Sequence, residues 1–245
     1  VAVMSDYYDV LIVGGGMVGL TLASALAKPS GGSSLHIGIV EQQTPRPVTD
    51  EVDNRVSAIS RASVQVFQST GVWDAMVQQR ACAFQEMHVW DATGAGSIHF
   101  DSAELGLDTL GYIIENTIIQ QALLQGIKNT DTVDWLCPVK IESIELSAER
   151  HRVHLDNGKM LECQLLVGAD GAKSLVREAA NIEFKRSSYA QQGIVCTVVT
   201  EQPHDETAWQ CFLPTGALAF LPLADGHSSI VWSLDENRAE EILSL

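Results

Sequence analysis

Asp9-Val10-Leu11-Ile12-Val13-Gly14-Gly15-Gly16-Met17-Val18-Gly19-Leu20 is the stretch on which the fold of this 245-residue chain turns. A short apolar run stops at three glycines, which reads as a buried parallel strand entering a tight turn. Met17–Lys28 follows, rich in Ala and Leu and ended by Pro29, and predicts a helix. Ser30-Gly31-Gly32-Ser33-Ser34 reads as a flexible loop, and His36–Val40 as a second strand closing on Glu41. Strand, turn, helix and strand fit within about 33 residues, the size of one βαβ unit.

The turn Gly14-Gly15-Gly16-Met17-Val18-Gly19 matches G-x-G-x-x-G. Gly14 permits the tight turn, Gly16 lets the backbone approach a pyrophosphate, and Gly19 lets the helix pack close to the strand. The amides opening the helix, Met17 and Val18 among them, aim unpaired N–H groups and a partial positive charge at phosphate oxygens. Packing alone also selects glycine-rich turns, so the pattern is weak by itself. Here an apolar strand precedes it, an apolar helix follows, and Glu41 stands 22 residues beyond Gly19. That is close to the ~20 expected of a carboxylate that accepts from an adenosine ribose. A glutamate there would repel a 2′-phosphate, which disfavours NADP at this site. Dinucleotide binding is the better reading, with FAD and NAD both open.

Beyond Glu41, residues 42–57 read as a polar, proline-containing loop. A serine-capped helix is expected over Ser60–Ser69, strands over Phe84–Trp90 and Ser97–Asp101, and a helix over Glu115–Lys128 with Ile118, Ile119, Ala122 and Leu123 on one face. Lys140–Leu146 alternates, and His151–Leu155 and Lys159–Cys163 flank the hairpin signal Asn157-Gly158. Leu165–Ala169 is apolar and ends in Asp170-Gly171, ahead of a short helix around Ser174–Ala180. After about Ser187 the pattern changes. Gly193–Thr200, Ala208–Leu213, Ala217–Leu223 and Ser228–Leu234 are strand-like and separated by turns, which suggests an antiparallel sheet, and Asp235-Glu236-Asn237 looks like a helix start. The chain is therefore expected to be α/β, with a Rossmann-like βαβ domain over 1–187 and a largely antiparallel sheet over 188–245.

Composition excludes several functions. Fifteen Lys and Arg against 31 Asp and Glu give a formal charge of −16, which argues against nucleic acid and against docking on an anionic leaflet. The five cysteines have no C-x-x-C spacing, against a disulfide framework or zinc site and in keeping with a reducing cytosol. The seven histidines form no H-E-x-x-H, and no metal site is expected. No G-x-S-x-G supports hydrolase chemistry. No apolar run reaches the ~18 residues a transmembrane helix needs, and no secretion signal opens the chain. Val1-Ala2-Val3 ahead of Met4 read as residues added before the natural start.

A second motif, Gly168-Ala169-Asp170-Gly171-Ala172-Lys173-Ser174-Leu175-Val176-Arg177, has the form G-A-D-G-x-x-S-x-V-R at the end of an apolar strand. It resembles the second fingerprint of the para-hydroxybenzoate-hydroxylase type of flavin monooxygenase. The bland reading is a strand-end turn with Asp170 capping the next helix. Arg55-Val56-Ser57-Ala58-Ile59, Gly71-Val72-Trp73, Val89-Trp90-Asp91, Ile114-Glu115-Asn116, Phe220-Leu221-Pro222-Leu223 and Ile230-Val231-Trp232-Ser233-Leu234 extend the likeness. Together with the first motif they look like the ubiquinone-biosynthesis FAD-dependent hydroxylases, over nearly the whole chain.

The resemblance implies FAD as cofactor and gives Asp170 and Gly171 a place beside it. It sets Arg55 along the flavin side, where the alternative is a solvated loop arginine. Asn116 would reach the ribityl region, where the alternative is a plain N-cap, with Gln120 one turn later. It further implies an aromatic-ring monooxygenase, in which reduced FAD passes one atom of O2 to a polyprenyl phenol or benzoquinol. NAD(P)H supplies the electrons as a transient co-substrate, and the 188–245 sheet, with Phe212, Phe220 and Trp232, forms the substrate-side wall. A greasy substrate implies a cytoplasmic location or one peripheral to the inner membrane, and a place in a ubiquinone-biosynthesis assembly. No acid or base in the chain is assigned a catalytic role. The family's later Gly-Asp motif does not follow Asp170-Gly171, so the chain is expected to be an N-terminal fragment. Two alternatives stand beside this reading: another FAD- or NAD-dependent oxidoreductase, and a non-catalytic flavin-binding subunit of such an assembly.

Overall fold

The computed structural model describes residues 6–28, 34–128 and 130–244. Pro29, most of the loop after it and the residues up to Met4 lie outside the described residues. In chain order the elements are β1 (Asp6–Val13), α1 (Met17–Leu26), β2 (Ile37–Val40), β3 (Val56–Ser60), α2 (Arg61–Thr70), α3 (Trp73–Arg80), β4 (Ala81–Phe84) and β5 (Glu86–Asp91). Then come β6 (Ser97–Asp101), β7 (Gly111–Glu115), α4 (Asn116–Lys128), β8 (Val133–Leu136), β9 (Ile141–Glu145), β10 (His151–Leu155) and β11 (Met160–Gly168). Last are α5 (Leu175–Ala179), β12 (Gln191–Val198), β13 (Thr207–Leu213), β14 (Gly216–Pro222), β15 (Ser228–Asp235) and α6 (Glu236–Leu243).

The chain folds as two compact units. One comprises Val1–Val48, Phe67–Trp73 and Ile119–Lys185, the other Thr49–Val66, Asp74–Ile118 and Arg186–Leu245. A single cut at 187/188 therefore does not describe the division, because residues 49–66 and 74–118 fold with the C-terminal sheet. The reason is strand pairing over long separations. β13 pairs in parallel with β5, Thr207 opposite Glu86 through Phe212 opposite Asp91. No local pattern in either strand specifies that partner.

The first unit is built on a six-stranded sheet in the order β8-β2-β1-β11-β10-β9. β8, β2, β1 and β11 are parallel neighbours, and β10 and β9 extend the sheet antiparallel. Val10–Val13 and Ile37–Val40 are buried throughout, as expected of strands covered on both faces. Tyr8, Leu11, Val13, Val153, Leu155 and Leu161 pack into one core, each large apolar side chain contributing about 2 kcal/mol of burial. The expected strands 159–163 and 165–169 are one strand, β11, because β10 pairs with its first half while β1 pairs with nearly all of it. β8 was not expected; four residues, three half-buried and Asp134 exposed, carry little periodic signal.

The second unit holds a sheet in the order β12-β15-β14-β13-β5-β6 and a small antiparallel sheet β3-β7-β4. All neighbours in the larger sheet are antiparallel except β13 and β5. Phe84, Ile113, Ala208 and Leu223 form a core beneath them, with Met87 and Leu221 packed against it. Trp209 lies opposite Phe220, and Leu218 lies opposite both Cys211 and Trp232, so Phe220 and Trp232 share one face. Phe212 alternates onto the other face. The three residues expected to form one wall therefore do not share a face, an outcome of pleat parity.

Candidate dinucleotide-binding site

β1, β2 and β11 end side by side, with β1 between the other two. The carboxyl ends of neighbouring parallel strands are where open α/β sheets bind ligands. Here they open onto a cleft of about 220 Å³ lined by Val13, Gly14, Glu41, Gln43, Asp170 and Lys173, among others. Gly14, Glu41 and Asp170, three positions the sequence singles out, are therefore brought together.

The glycines of the turn have different neighbours. Gly14 sits at φ +108°, and a Cβ on it would overlap the carbonyl oxygen of Ala169. A Cβ on Gly15 would overlap the Trp135 ring, and one on Gly19 the carbonyl oxygen of Gly14. These three are enclosed by the protein itself. Gly16 differs: its φ of −75° suits any residue, and nothing lies within 4 Å of where its Cβ would be.

Gly16 is also the N-cap of α1, whose first turn has no capping side chain and no acidic residue. Open space, uncapped amides and the positive end of a ten-residue helix thus coincide. That combination fits a diphosphate. Met17 is the first helical residue, its carbonyl accepting from Thr21 Oγ1 at 2.6 Å, and Val18 is 74% exposed beside it.

Glu41 has a structural role of its own. Its Oε2 accepts from Gly15 N and its Oε1 from Gln43 N, each at 2.7 Å. The carboxylate clamps the glycine turn to the end of β2, and each oxygen keeps a further lone pair for a hydroxyl. Gln120 supports the same turn from α4 by donating Nε2–H to Gly15 O at 2.7 Å. Sequence reading placed Gln120 last among its candidates and gave Trp135 no role. Both act on Gly15 across a long separation, and only the residue type of Gly15 hinted at a close neighbour.

The Asp170 carboxylate holds the first turn of α5, whose N-cap residue is Ser174. Its Oδ2 accepts from Leu175 N at 2.6 Å and Val176 N at 3.4 Å, while Ser174 Oγ accepts from Arg177 N at 3.0 Å. The bland alternative for this residue accounts for its hydrogen bonds. Oδ1 is buried without a partner among the described residues. Gly171, next in the turn, has φ +79°.

Arg55 and Asn116 belong to the second unit and meet there. Asn116 N donates to Arg55 O at 2.9 Å, and Arg55 N donates to Asp53 Oδ1 at 3.1 Å. Asn116 opens α4, and its Oδ1 accepts from Ser57 Oγ at 2.6 Å, leaving the amide N–H groups as donors. Beneath this segment lies a pair the sequence did not announce. Glu115, 3% exposed, accepts from Arg80 Nε at 2.6 Å and from Asp53 N at 2.7 Å. The hydrogen bond to Glu115 pushes the Arg80 guanidinium further up from its ordinary pKa.

Two thiols are poorly placed for nucleophilic work. Burial pushes Cys82 and Cys163 each up to about 11, so they stay protonated near neutrality. Among the described residues, no helix is long and apolar enough to cross a membrane.

Comparison with known proteins agrees with this geometry. Residues 7–242 match the family described as FAD binding domain. The 3-demethoxyubiquinol 3-hydroxylase of Escherichia coli (strain K12) is 38% identical over 226 residues, covering 91% of this chain and 56% of that protein. The human mitochondrial ubiquinone biosynthesis monooxygenase COQ6 is 36% identical over 259 residues, covering 97% of this chain and 53% of that protein. The chain thus spans about half the length of these curated relatives. Among solved structures, Pseudomonas aeruginosa PqsL in complex with 2-aminobenzoylacetate superposes with a TM-score of 0.79 at 23% identity, over 98% of this chain and 64% of that one. Klebsiella pneumoniae HpxO complexed with FAD and uric acid gives 0.69 at 16% identity, over 94% and 56%. These two likenesses speak to fold, and the match from the first strand to the last helix speaks to family: the chain belongs to the FAD binding domain family.

Proposed function

We propose that the intact protein is a FAD-dependent monooxygenase that hydroxylates a polyprenyl phenol or benzoquinol in ubiquinone biosynthesis, taking electrons from NAD(P)H and oxygen from O2. The names of the bacterial and human relatives, a 3-demethoxyubiquinol 3-hydroxylase and a ubiquinone biosynthesis monooxygenase, support the substrate class. The observation that carries the reading is the open, uncapped helix start at Gly16 beside Glu41.

Each residue has a distinct task in this reading. The amides of Gly16, Met17 and Val18 hold the diphosphate, and Gly14 and Gly19 shape the turn that presents them. Glu41 accepts from a ribose hydroxyl with the lone pairs left over from Gly15 and Gln43. Arg55 and Asn116 would offer N–H donors to the flavin half, and Asp170 and Gly171 line the strand-end turn beside the glycine turn. Bound FAD supplies the redox chemistry and the activation of oxygen. The Phe220 and Trp232 face orients the aromatic ring and keeps water out. No acid or base of the chain is assigned a proton transfer. An apolar substrate tail places the work at the membrane surface, in the cytoplasm or peripheral to the inner membrane, within a quinone-synthesis assembly.

The test is flavin retention by the intact protein carrying Gly16→Asp. Aspartate is a good N-cap and has open space here, so folding is expected to be kept while its charge expels the diphosphate. Loss of flavin absorbance, with the flavin-free variant melting at the temperature of the flavin-free parent, supports the reading; a variant that stays as yellow as the parent overturns it. Bleaching by NAD(P)H that reverses in air separates an oxygen-using enzyme from a dehydrogenase. Quinone synthesis fully restored by the Glu41→Ala protein would instead assign it a non-catalytic role.

A further inference from the structure

We propose that Glu86, His88 and His99 form a binding site for one divalent transition-metal ion on the β5–β6 strand pair, outside the dinucleotide cleft and on the same sheet face as Phe220 and Trp232. No linear metal motif announces it, because the three residues come together only through sheet register. His88 lies directly opposite His99, and Glu86 is two residues before His88, so all three project from one face. Both imidazole Nε2 atoms point at the same oxygen: Glu86 Oε2 is 3.1 Å from His88 and 2.9 Å from His99. The ligand atoms all fall within 4.8 Å of one another, and the Nε2–Oε2 distances of 3.1 and 2.9 Å suit ligands that share one ion at the usual ~2.1 Å bond lengths.

The rings are also held in place. His88 stacks on His99 with centroids 4.0 Å apart and on Trp209 at 4.5 Å. Trp90 meets Trp209 edge-on at 6.3 Å. The near-parallel stack, 18° between the ring planes, keeps the two imidazoles adjacent, and binding one ion tilts them so that both in-plane Nε2 lone pairs converge on it. Side-chain exposures of 41%, 33% and 43% for Glu86, His88 and His99 leave an entry path from solvent. The neighbouring Asp101, opposite Glu86, turns its Oδ1 to Ala103 N at 2.8 Å and stays outside the triad.

Donor chemistry selects the ion. Two imidazoles and one carboxylate favour Zn²⁺, Ni²⁺ or Cu²⁺ and disfavour Mg²⁺ and Ca²⁺, which seek all-oxygen shells. On binding, each imidazole gives its Nε2 lone pair to the ion and keeps its proton on Nδ1. Three protein ligands leave a fourth position to water. The ion ties β5 to β6 and so stabilises the edge of the larger sheet.

Trp209 supplies the readout. Titrating the tag-free full chain with Ni²⁺ is expected to quench part of the tryptophan fluorescence saturably at one ion per chain, and Zn²⁺ is expected to raise the melting temperature; Mg²⁺ should do neither. His99→Ala, at an exposed position, should fold normally without metal and weaken Ni²⁺ binding by more than about tenfold. Glu86→Gln should weaken it too and serves if the first variant folds poorly. His36→Ala, which removes the separate His36–Asp134 pair in the other unit, should leave the titration unchanged. Quenching that does not saturate, that survives both triad variants, or that falls equally with His36→Ala overturns the proposal.

Discussion

The turn at Gly14–Gly19 and the strand pair at Glu86–His99 both gather polar groups, but with different materials. The turn uses backbone: amides at a helix start, clamped by Glu41 and Gln120 and enclosed by Ala169, Trp135 and Gly14 itself. The strand pair uses side chains, aligned by parity and register across two β-strands. A backbone site is written in contiguous residues because consecutive amides must point one way. A side-chain site on a sheet is written in which residues face each other, and that depends on pairing partners. Substitutions at the turn should therefore act through fold and ligand separately, and position by position.

The largest expected effect is at Gly19. Valine there drives a side chain into the carbonyl of Gly14, which cannot move without unwinding the turn, so Gly19→Val should fail to fold or lose at least about 4 kcal/mol in denaturant melts. An unimpaired Gly19→Val protein would mean that helix and strand are less closely packed than described. Next comes Glu115→Ala, which strips the Asp53 amide and the Arg80 guanidinium of their acceptor. A loss of about 2–3 kcal/mol is expected, below the range for fully buried pairs because the Arg80 side chain is 23% exposed. If Glu115→Gln recovers most of it, hydrogen bonding rather than charge dominates.

Asp170→Ala removes an acceptor from the first turn of a five-residue helix and should cost about 1 kcal/mol, with Asn restoring part of it. Measuring flavin affinity in the same protein sharpens the comparison. A drop well beyond the stability loss gives Asp170 a second, ligand-facing role. The smallest structural effect is at Gly16. Compared without flavin, Gly16→Asp should change stability by less than about 0.5 kcal/mol, since no atom obstructs the new side chain, yet it should release the cofactor. Equal destabilisation at Gly16 and Gly19 would erase the distinction between an enclosed glycine and an open one.

The two readings of Asp170 show where local pattern ends. G-A-D-G-x-x-S-x-V-R contains both a cap signature and a cofactor fingerprint, and the same carboxylate could serve either. Its hydrogen bonds to Leu175 and Val176 settle what it holds within this chain. The division into domains has a similar history. Composition marks a change near residue 187, close to the Lys185–Arg186 boundary, but it carries no trace of the earlier segments that fold with the C-terminal sheet.

Sequence by itself determined the βαβ start, the place of the glycine turn between a buried strand and a helix, the acid at the end of β2, and the hairpin at Asn157-Gly158. Each is a short-range matter, fixed by dihedral freedom, periodicity or the hydrogen bonds of a few neighbouring residues. Tertiary structure alone decided that Trp135 and Gln120 brace Gly15, that Glu115 and Arg80 pair, that Phe212 faces away from Phe220, and that His99 stands opposite His88. Those depend on which strand pairs with which, and the free energy that selects a partner comes from the burial of whole faces, which no window of adjacent residues contains.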